Sequence, residues 1–258
     1  LETSYDDSFL KMAMDKLECF HEANITDPED AYIKENGTSY ELVPEVEGNC
    51  LNKDKVLTLL SEAASQGLKS VDLEAGDCYE KPSITSKDEN LVARYNTLVK
   101  YSKMTVTYAF GDSREVLDAS TIKSWMTVAD NGDVTFSDER ISDYVAGLAE
   151  KYDTYEKDVP FTTALGETIT VNSCDYGWQL DQASEVEKLK EFLLKGESVV
   201  REPLWLKMGV ARTSNGIGDT YVEIDYTNQH MWFYKDGALL VDTAVVTGNV
   251  SAGNASPE

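Results

Sequence analysis

Hydrophobic and polar side chains alternate through the last stretch of the chain and predict three short strands there. Residues 221–226 alternate with the period of a half-buried strand. Residues 229–234 are rich in aromatic side chains, which favour a pleated surface. Thr227–Asn228 and Asp236–Gly237 supply the two turns. Residues 238–246 are almost wholly apolar, as in a strand buried on both faces.

Upstream of these strands, apolar residues recur at helical spacing in six segments. Asp27–Pro28 ends the first of them, and Gly67 and Gly196 close the second and the last. Ser184 with Glu187 predicts a capping box for the last helix. The predicted helices cover 7–23, 54–66, 88–102, 119–129, a long helix capped by Ser137 or Asp138, and a helix ending before Gly196. Short strands are predicted at 31–33, 40–43, 71–73, 104–110, 115–117, 134–136, 161–163 and 168–172.

Two of these regions share one order of landmarks, which indicates an internal repeat. Each has a strand, a glycine, a leucine, a helix, a second glycine, a further strand and a proline. The spacing from Leu51 to Gly67 equals that from Leu180 to Gly196. We interpret residues of about 38–82 and 160–205 as a duplication, with chance similarity of two strand–helix–strand units as the alternative.

The pattern as a whole predicts an α+β protein. A duplicated helix-and-sheet region is expected over residues 1–206. A linker is expected at 207–219, where Asn215–Gly216 and Gly218 occur. Residues 220–258 are then expected to be the first strands of a β-rich domain.

Composition narrows the classes of partner. The chain has 258 residues, a formal net charge of −24 and a pI near 4.3. Nucleic acid is excluded as a partner, because phosphates need Lys and Arg side chains. No apolar run approaches the about 20 residues of a membrane helix. With two His residues and no CxxC spacing, neither a zinc site nor any other metal or cofactor is predicted.

Three further patterns invite a chemical interpretation. Residues 130–133 resemble part of a calcium loop, but Thr127 and Ala129 would occupy ligand positions, so a turn is favoured. His230 and His21 are expected to be structural. A set of aromatic side chains could hold sugar rings or peptide stems, and core packing explains them equally well. That set is Tyr101, Tyr152, Tyr155, Tyr176, Trp178 and Trp205.

The terminal strands also carry a family resemblance. Gln229, Met231 and Tyr234 follow Ile224–Asp225 and precede Lys235–Asp236–Gly237, Val246–Thr247–Gly248 and Pro257. In this order they resemble the opening of an L,D-transpeptidase catalytic domain. The repeat, together with Tyr144, Ala146–Gly147–Leu148 and residues 151–155, resembles the peptidoglycan-binding modules that precede such domains in Gram-positive bacteria. That second resemblance covers most of residues 16–205.

The resemblance implies a wall-cross-linking enzyme whose nucleophile is the Cys of a Ser-His-Gly-Cys run. The chain contains no such run, so no catalytic residue is assigned in it and we expect it to be inactive. We expect it to be part of a longer protein that lies outside the cell, in the wall or anchored to the membrane upstream. The implied partners are the stem peptides and glycan of peptidoglycan, with no cofactor. A non-catalytic binding module and a structural spacer are the alternatives.

The implied export raises the question of disulfides. Cysteines occur at positions 19, 50, 78 and 174. Among the three possible pairings we favour Cys19–Cys78, because both lie beside the first repeat, but four buried free thiols are slightly preferred over any pairing. None follows a Ser-His-Gly sequence, so none is expected to be a nucleophile.

Overall fold

The chain forms two compact units, each built from helices and small sheets. The computed structural model describes residues 6–172, 176–212 and 217–255. The first unit is Leu1–Ser102 with Val128–Val134, and the second is Lys103–Thr127 with Thr135–Glu258. Six α-helices and several two- or three-stranded sheets occur in the described residues, which confirms the α+β prediction.

The first unit combines three helices with one hairpin. Two short 3-10 turns follow the first helix, so the helix predicted over 7–23 is shorter than expected. The side chains of Asp6, Asn52 and Asp88 cap the three helices. In chain order the elements are α1 (Asp7–Met14), β1 (Tyr32–Asn36), β2 (Ser39–Val43), α2 (Lys53–Gln66) and α3 (Glu89–Tyr101).

The strand predicted at 71–73 is wrong. The Asp72 carboxylate accepts hydrogen bonds from the backbone N–H groups of Glu74 and Ala75, at 3.0 and 3.1 Å. A short acidic side chain that bonds the backbone two and three residues ahead stabilises a turn in place of a strand. The segment after α2 is therefore a turn that leads to Cys78.

The first core lies where α1 packs on α2. Met14, Leu51, Val56 and Cys78 are its fully buried members. The Cys78 thiol lies 3.6 Å from the carbonyl oxygen of Gly76, and Cys19 is exposed. Both are free thiols, so the predicted Cys19–Cys78 pair is not formed, and the exposure of Cys19 also contradicts the alternative of four buried thiols. Cys50 is free as well, and Cys174 lies outside the described residues.

The second unit contains the remaining helices and most of the strands. The strand β10 (Val199–Arg201) runs parallel to β3 (Val106–Phe110), and β3 pairs antiparallel with β4 (Ser113–Leu117). Side chains of β3 alternate between buried and half-buried, as its sequence predicts. The elements after α3 are β3 (Val106–Phe110), β4 (Ser113–Leu117), α4 (Ala119–Trp125), β5 (Met126–Val128), β6 (Val134–Phe136), α5 (Asp138–Tyr152), β7 (Val159–Thr162), β8 (Thr168–Val171), β9 (Gln179–Leu180), α6 (Gln182–Lys195), β10 (Val199–Arg201), β11 (Trp205–Lys207), β12 (Tyr221–Asp225), β13 (His230–Lys235) and β14 (Ala238–Ala244).

Two helix starts in this unit test the capping predictions. Ser137 caps α5 by accepting from the backbone N–H of Arg140, as predicted. The capping box predicted at Ser184 is wrong, because Asp181 caps α6 and its carboxylate accepts from Ser184 N–H at 3.1 Å. Asp is as good an N-cap as Ser, and here it lies one turn earlier.

The two regions that we interpret as a duplication make corresponding hydrogen bonds. Leu51 pairs with Tyr79, and Leu180 pairs with Trp205. The next residue in each case donates its backbone N–H to the returning segment, from Asn52 to Cys78 at 2.8 Å and from Asp181 to Leu204 at 2.9 Å. The same residue then caps the helix. The two regions thus share the start of the helix and the return of the chain, although only the second returns through a strand.

Both helices of the repeat end at a glycine in the left-handed region, as predicted. Gly67 has φ of 68° and Gly196 has φ of 63°. We expect Gly67→Val or Gly196→Val to lower the free energy of unfolding by about 1 kcal/mol or more, because a β-branched residue is poorly tolerated there. Gly147, inside α5 and with nothing near its missing Cβ, is the control: Gly147→Ala should stabilise by about 0.5–1 kcal/mol. Urea titration measures all three, and a neutral Gly67→Val would contradict the capping role.

The three terminal strands form one antiparallel sheet, as predicted. Asp225 accepts from the backbone N–H groups of Thr227 and Asn228 and so stabilises the first turn. The second turn lies at Asp236 and Gly237, which have φ of 49° and 76°. The expected burial of the third strand is wrong, because all seven positions of β14 are exposed. An apolar sequence shows what a strand could bury, and no described residue covers this one.

Candidate functional site

The candidate site lies in the second unit, where an arginine and several aromatic rings cluster. The guanidinium carbon of Arg212 lies 3.7 Å from the ring centre of Trp178 and 3.7 Å from that of Trp205. The two indoles are 5.2 Å apart and their planes differ by 71°. Arg212 therefore occupies the angle between two indole rings, a strong cation–π arrangement. We call Arg212, Trp178, Trp205, Phe110 and Tyr152 the Arg212 cluster.

The remaining rings extend the cluster through β3 and α5. Phe110 stacks on Tyr152 with centroids 3.7 Å apart, and it meets Trp205 edge-on at 5.9 Å. The inner Phe110 position follows from the alternation of β3, and Tyr152 is the last residue of α5. The strand β3 and the helix α5 thus position Phe110 and Tyr152, and β11 positions Trp205.

The backbone around Trp178 is tightly specified. Its indole N–H donates to the carbonyl of Ala211 at 2.8 Å, and its backbone N–H donates to Thr154 Oγ1 at 2.9 Å. The segment before Arg212 is therefore bonded to the indole that Arg212 contacts. A Cβ on Gly111 would lie 2.9 Å from Cβ of Arg212, which is too close. The absence of a side chain at Gly111 therefore provides the space that Arg212 occupies.

Burial controls the electrostatics of the cluster. Desolvation lowers the pKa of Arg212 to about 10, against the opposing effect of Glu202 and Asp153. Burial also raises the pKa of Asp153, whose carboxylate accepts from Leu180 N–H at 2.8 Å. Arg212 remains a cation at neutral pH. Among the described residues it makes neither an ion pair nor a hydrogen bond.

The aromatic residues singled out in the sequence are only partly brought together. Trp178, Trp205 and Tyr152 meet in the cluster. Tyr155 lies nearby in sequence and receives the ammonium of Lys207 at 3.3 Å from its ring centre. Tyr101 belongs to the first unit and is buried there, which makes it a core residue. Sequence analysis did not identify Arg212, because no local pattern shows which rings surround a cation.

The second unit also contains a buried ionic network that the sequence does not reveal. Glu185 in α6 is fully buried and accepts hydrogen bonds from the Tyr108 hydroxyl and from Leu204 N–H, each at 2.7 Å. Its third partner is the Arg201 guanidinium, whose side chain is 13% exposed. Burial raises the pKa of Tyr108 far above its usual range, so the phenol stays a donor. This network ties α6 to β3 and β10.

The first unit contains an acidic depression of about 560 Å³ beside Tyr79. Asp77, in its wall, is paired with Lys81 at 2.5 Å and with Lys55 at 2.9 Å. The hydrogen bond from Lys81, then that from Lys55, lowers the pKa of Asp77 to about 2. No group of His, Cys, Asp and Glu in the described part of the chain could hold a metal ion. The remaining acidic side chains that line it are Glu47, Glu74 and Glu80.

The other candidates from the sequence are structural. His230 is half-buried, lies 4.5 Å from the ring of Trp232 and contacts the carboxylate of Asp242 at 2.5 Å. His21 lies 3.5 Å from Glu18 on an exposed turn. At 130–133, Gly132 has φ of 84° and Ala129 bonds the backbone of Asp133 at 2.9 Å, so this segment is the predicted turn.

Within the second unit, the terminal sheet contacts β7 and the turn that follows it. Glu223 of β12 accepts from Ala164 N–H at 2.9 Å, and the Tyr221 ring meets Phe161 edge-on at 5.6 Å. Gln229 bonds Thr247 through both ends of its amide, so two residues of the transpeptidase-like pattern lie together. The two histidines contact carboxylates, His21 that of Glu18 and His230 that of Asp242.

Comparison with known proteins supports both parts of the resemblance. Residues 84–201 match a family model described as "Putative peptidoglycan binding domain". The Ldtfm–avibactam carbamoyl enzyme is similar in structure, with 32% identity, a TM-score of 0.53, and coverage of 62% of this chain and 63% of that one. A Cys-to-Ser mutant of Enterococcus faecium L,D-transpeptidase is similar at 33% identity, a TM-score of 0.51 and 64% coverage of each chain.

The structural matches cover part of this chain and part of each similar structure. The chain spans less than two thirds of the length of the two solved structures. No curated protein gives a significant match to the sequence. Together the family match and the structural likeness confirm the recognition from sequence: a peptidoglycan-binding domain match combined with L,D-transpeptidase-like structure.

Proposed function

We propose that this chain binds the peptidoglycan of the cell wall and is the non-catalytic part of an L,D-transpeptidase. The observation that carries the proposal is the match of residues 84–201 to a peptidoglycan-binding family, because it covers most of the second repeat. The likeness to L,D-transpeptidase structures supports the wider role in wall remodelling. Residues 1–206 are the binding region in this proposal, 207–219 the linker and 220–258 the start of the catalytic domain.

In the parent enzyme, a cysteine thiolate would attack the carbonyl between the third and fourth residues of a donor stem. The C–N bond breaks, a histidine-derived proton goes to the leaving D-Ala, and a thioester forms. The side-chain amine of an acceptor stem then attacks the thioester and yields a 3→3 cross-link, while the thiol is released. Hydrogen-bond donors would stabilise the oxyanion in both steps. This chemistry is proposed for residues beyond this chain.

We expect residues 1–258 to be inactive in that reaction. Cys78 is fully buried, and burial, reinforced by Glu80 and Asp27, raises the pKa of the Cys50 thiol. A thiol held protonated or away from solvent is a poor nucleophile. Incubation with tetrapeptide muropeptides should release no D-Ala, and intact mass after carbapenem treatment should be unchanged. A stoichiometric adduct on any cysteine would overturn this expectation.

Binding to isolated peptidoglycan sacculi tests the proposed function directly. The whole chain should co-sediment saturably with sacculi and be displaced by soluble muropeptides. A structural spacer is the second candidate, since the resemblance would place this region between a membrane and a catalytic domain. A spacer would show no saturable sedimentation, and that result would overturn the binding role.

The proposal places the protein at the cell surface, within the wall or anchored to the membrane by residues upstream. No described helix is long and apolar enough to cross a membrane. The net charge of −24 disfavours adhesion to anionic wall polymers by charge alone. Recognition of the wall is therefore assigned to specific contacts with stem peptides and glycan.

A further inference from the structure

We propose that Arg212 is a receptor for a carboxylate group of a peptidoglycan stem peptide. The inference rests on the proposed function for the identity of the ligand, and on the Arg212 cluster for its chemistry. A guanidinium offers five N–H donors in a fixed fork that matches a carboxylate. Arg212 directs none of them to another described residue, although it is half-buried.

The comparison with Arg201 in the same unit shows what Arg212 lacks. Both arginines lie against aromatic rings, Arg201 over Tyr108 at 5.7 Å and Phe192 at 5.5 Å. Arg201 meets the carboxylate of Glu185, which is the usual complement of a partly buried guanidinium. Arg212 has the aromatic surroundings without the carboxylate. We infer that a ligand supplies it.

No acidic group among the described residues fills this role. Asp153 and Glu202 are close enough to oppose the fall in the pKa of Arg212, yet neither forms an ion pair with it. Asp153 is bonded to the backbone N–H of Leu180. The donors of Arg212 therefore stay available at neutral pH, when the group is charged.

The position of the guanidinium is set before any ligand binds. The two indoles confine it, and Trp178 is itself bonded to Ala211, the residue before Arg212. A confined guanidinium loses little side-chain freedom on binding, which favours affinity. Trp178 is only 8% exposed, so its face has little room for a sugar ring. A peptide carboxylate at the guanidinium edge fits the cluster better than a stacked glycan does.

The test compares a carboxylate with its amide on the unmodified chain. The probes are the stem tripeptide L-Ala-γ-D-Glu-L-Lys with free carboxylates and the same peptide with every carboxylate amidated. Calorimetry or NMR titration should show that the acid binds about tenfold to a hundredfold more tightly, the range of one charge-assisted contact. Equal binding of acid and amide, or no binding of either, would overturn the proposal.

Arg212→Gln then assigns the contact to this residue. The variant should bind acid and amide with the same weak affinity, because the discriminating charge is gone. Arg140→Gln is the matched control, since Arg140 is an exposed arginine of the same unit outside the cluster, and it should keep the full discrimination. Thermal melting checks the fold of each variant. If Arg212→Gln folds and still discriminates acid from amide, Arg212 is not the receptor.

Sacculus binding, measured in parallel, separates this inference from the proposed function. A chain that sediments with sacculi but does not discriminate acid from amide keeps the proposed function and loses the inference. A chain that discriminates the two peptides but does not sediment keeps the carboxylate receptor and loses the wall-binding role. Both losses together would leave the Arg212 cluster as a purely structural feature and overturn the proposal.

Discussion

Replacing Glu185 with alanine is expected to lower the free energy of unfolding by about 3–5 kcal/mol, the cost of breaking a buried ion pair by removing one partner. Glu185 is fully buried, and its carboxylate accepts from Tyr108, Leu204 and Arg201. Without Glu185, the guanidinium of Arg201, which is 13% exposed, and the buried hydroxyl of Tyr108 lose their hydrogen-bond acceptor. Urea or thermal unfolding followed by circular dichroism measures the loss.

Glu191→Ala is the matched control, because Glu191 lies in the same helix but is exposed. It pairs with Lys188 at 2.7 Å and with Lys195 at 2.5 Å, and such surface pairs contribute little to stability because solvent screens them. The two variants should therefore differ several-fold in their effect on stability. Equal effects would show that burial of the Glu185 network contributes nothing.

The first repeat suggests a second variant of the same network. Val56 stands where the second repeat has Glu185, counted from Leu51 and Leu180, and it too is buried. Replacing Glu185, Arg201 and Tyr108 together by apolar residues of similar volume should recover most of the stability lost by Glu185→Ala, since no unpaired charge remains. If the triple variant is as unstable as Glu185→Ala, the stability of this region depends on the shape of the three side chains and not on the pairing of their charges.

Gly48→Ala and Gly177→Ala are expected to lower the free energy of unfolding by about 2–5 kcal/mol each. Both glycines have positive φ, 69° and 133°, which costs an L-residue about 1–2 kcal/mol. A Cβ would also lie 2.6 Å from the carbonyl oxygen of Thr26 in the first case and 2.6 Å from Thr154 Oγ1 in the second. Overpacking of this kind adds about 1–3 kcal/mol.

Gly37→Ala and Gly166→Ala separate the two contributions. Their φ values are 62° and 80°, but nothing lies within 4 Å of the added Cβ. They should cost about 1–2 kcal/mol, the backbone contribution alone. Thermal unfolding of the four variants measures the difference. If Gly48→Ala lowers the free energy of unfolding no more than Gly37→Ala does, the close approach of Gly48 to Thr26 does not constrain packing.

The same pair of glycines explains why the repeat was visible in the sequence. Gly48 precedes Leu51 by three residues and Gly177 precedes Leu180 by three, and in both cases the leucine pairs with the segment that returns after the helix. At both glycines an earlier segment of the chain approaches closely, Thr26 in the first case and Thr154 in the second. The same steric requirement at corresponding positions accounts for the same residue at the same spacing.

In the terminal sheet, the local sequence pattern predicts the strands and turns but not the burial of the third strand. Its three strands and two turns follow from alternation and from turn residues such as Asp225 and Gly237, because strand period and turn conformation depend on neighbours in sequence. The burial of β14 was predicted from the same apolar run and is wrong, since burial depends on what covers a face. Leu239, Leu240 and Val241 are exposed in the described structure.

The sequence by itself determined the positions of most helices, the glycines that end two of them and the kinship with wall-remodelling proteins, because periodicity, helix-ending glycines and motif order are local properties of the chain. It also determined that a Ser-His-Gly-Cys nucleophile is missing. Only the tertiary structure decided that Glu185 is a buried ion-pair partner and that Arg212 is a cation with no carboxylate partner in the described part of the chain. Both facts depend on side chains that meet across distant segments, and a charge in the first turn of a helix or in a linker carries no local sign of what will surround it.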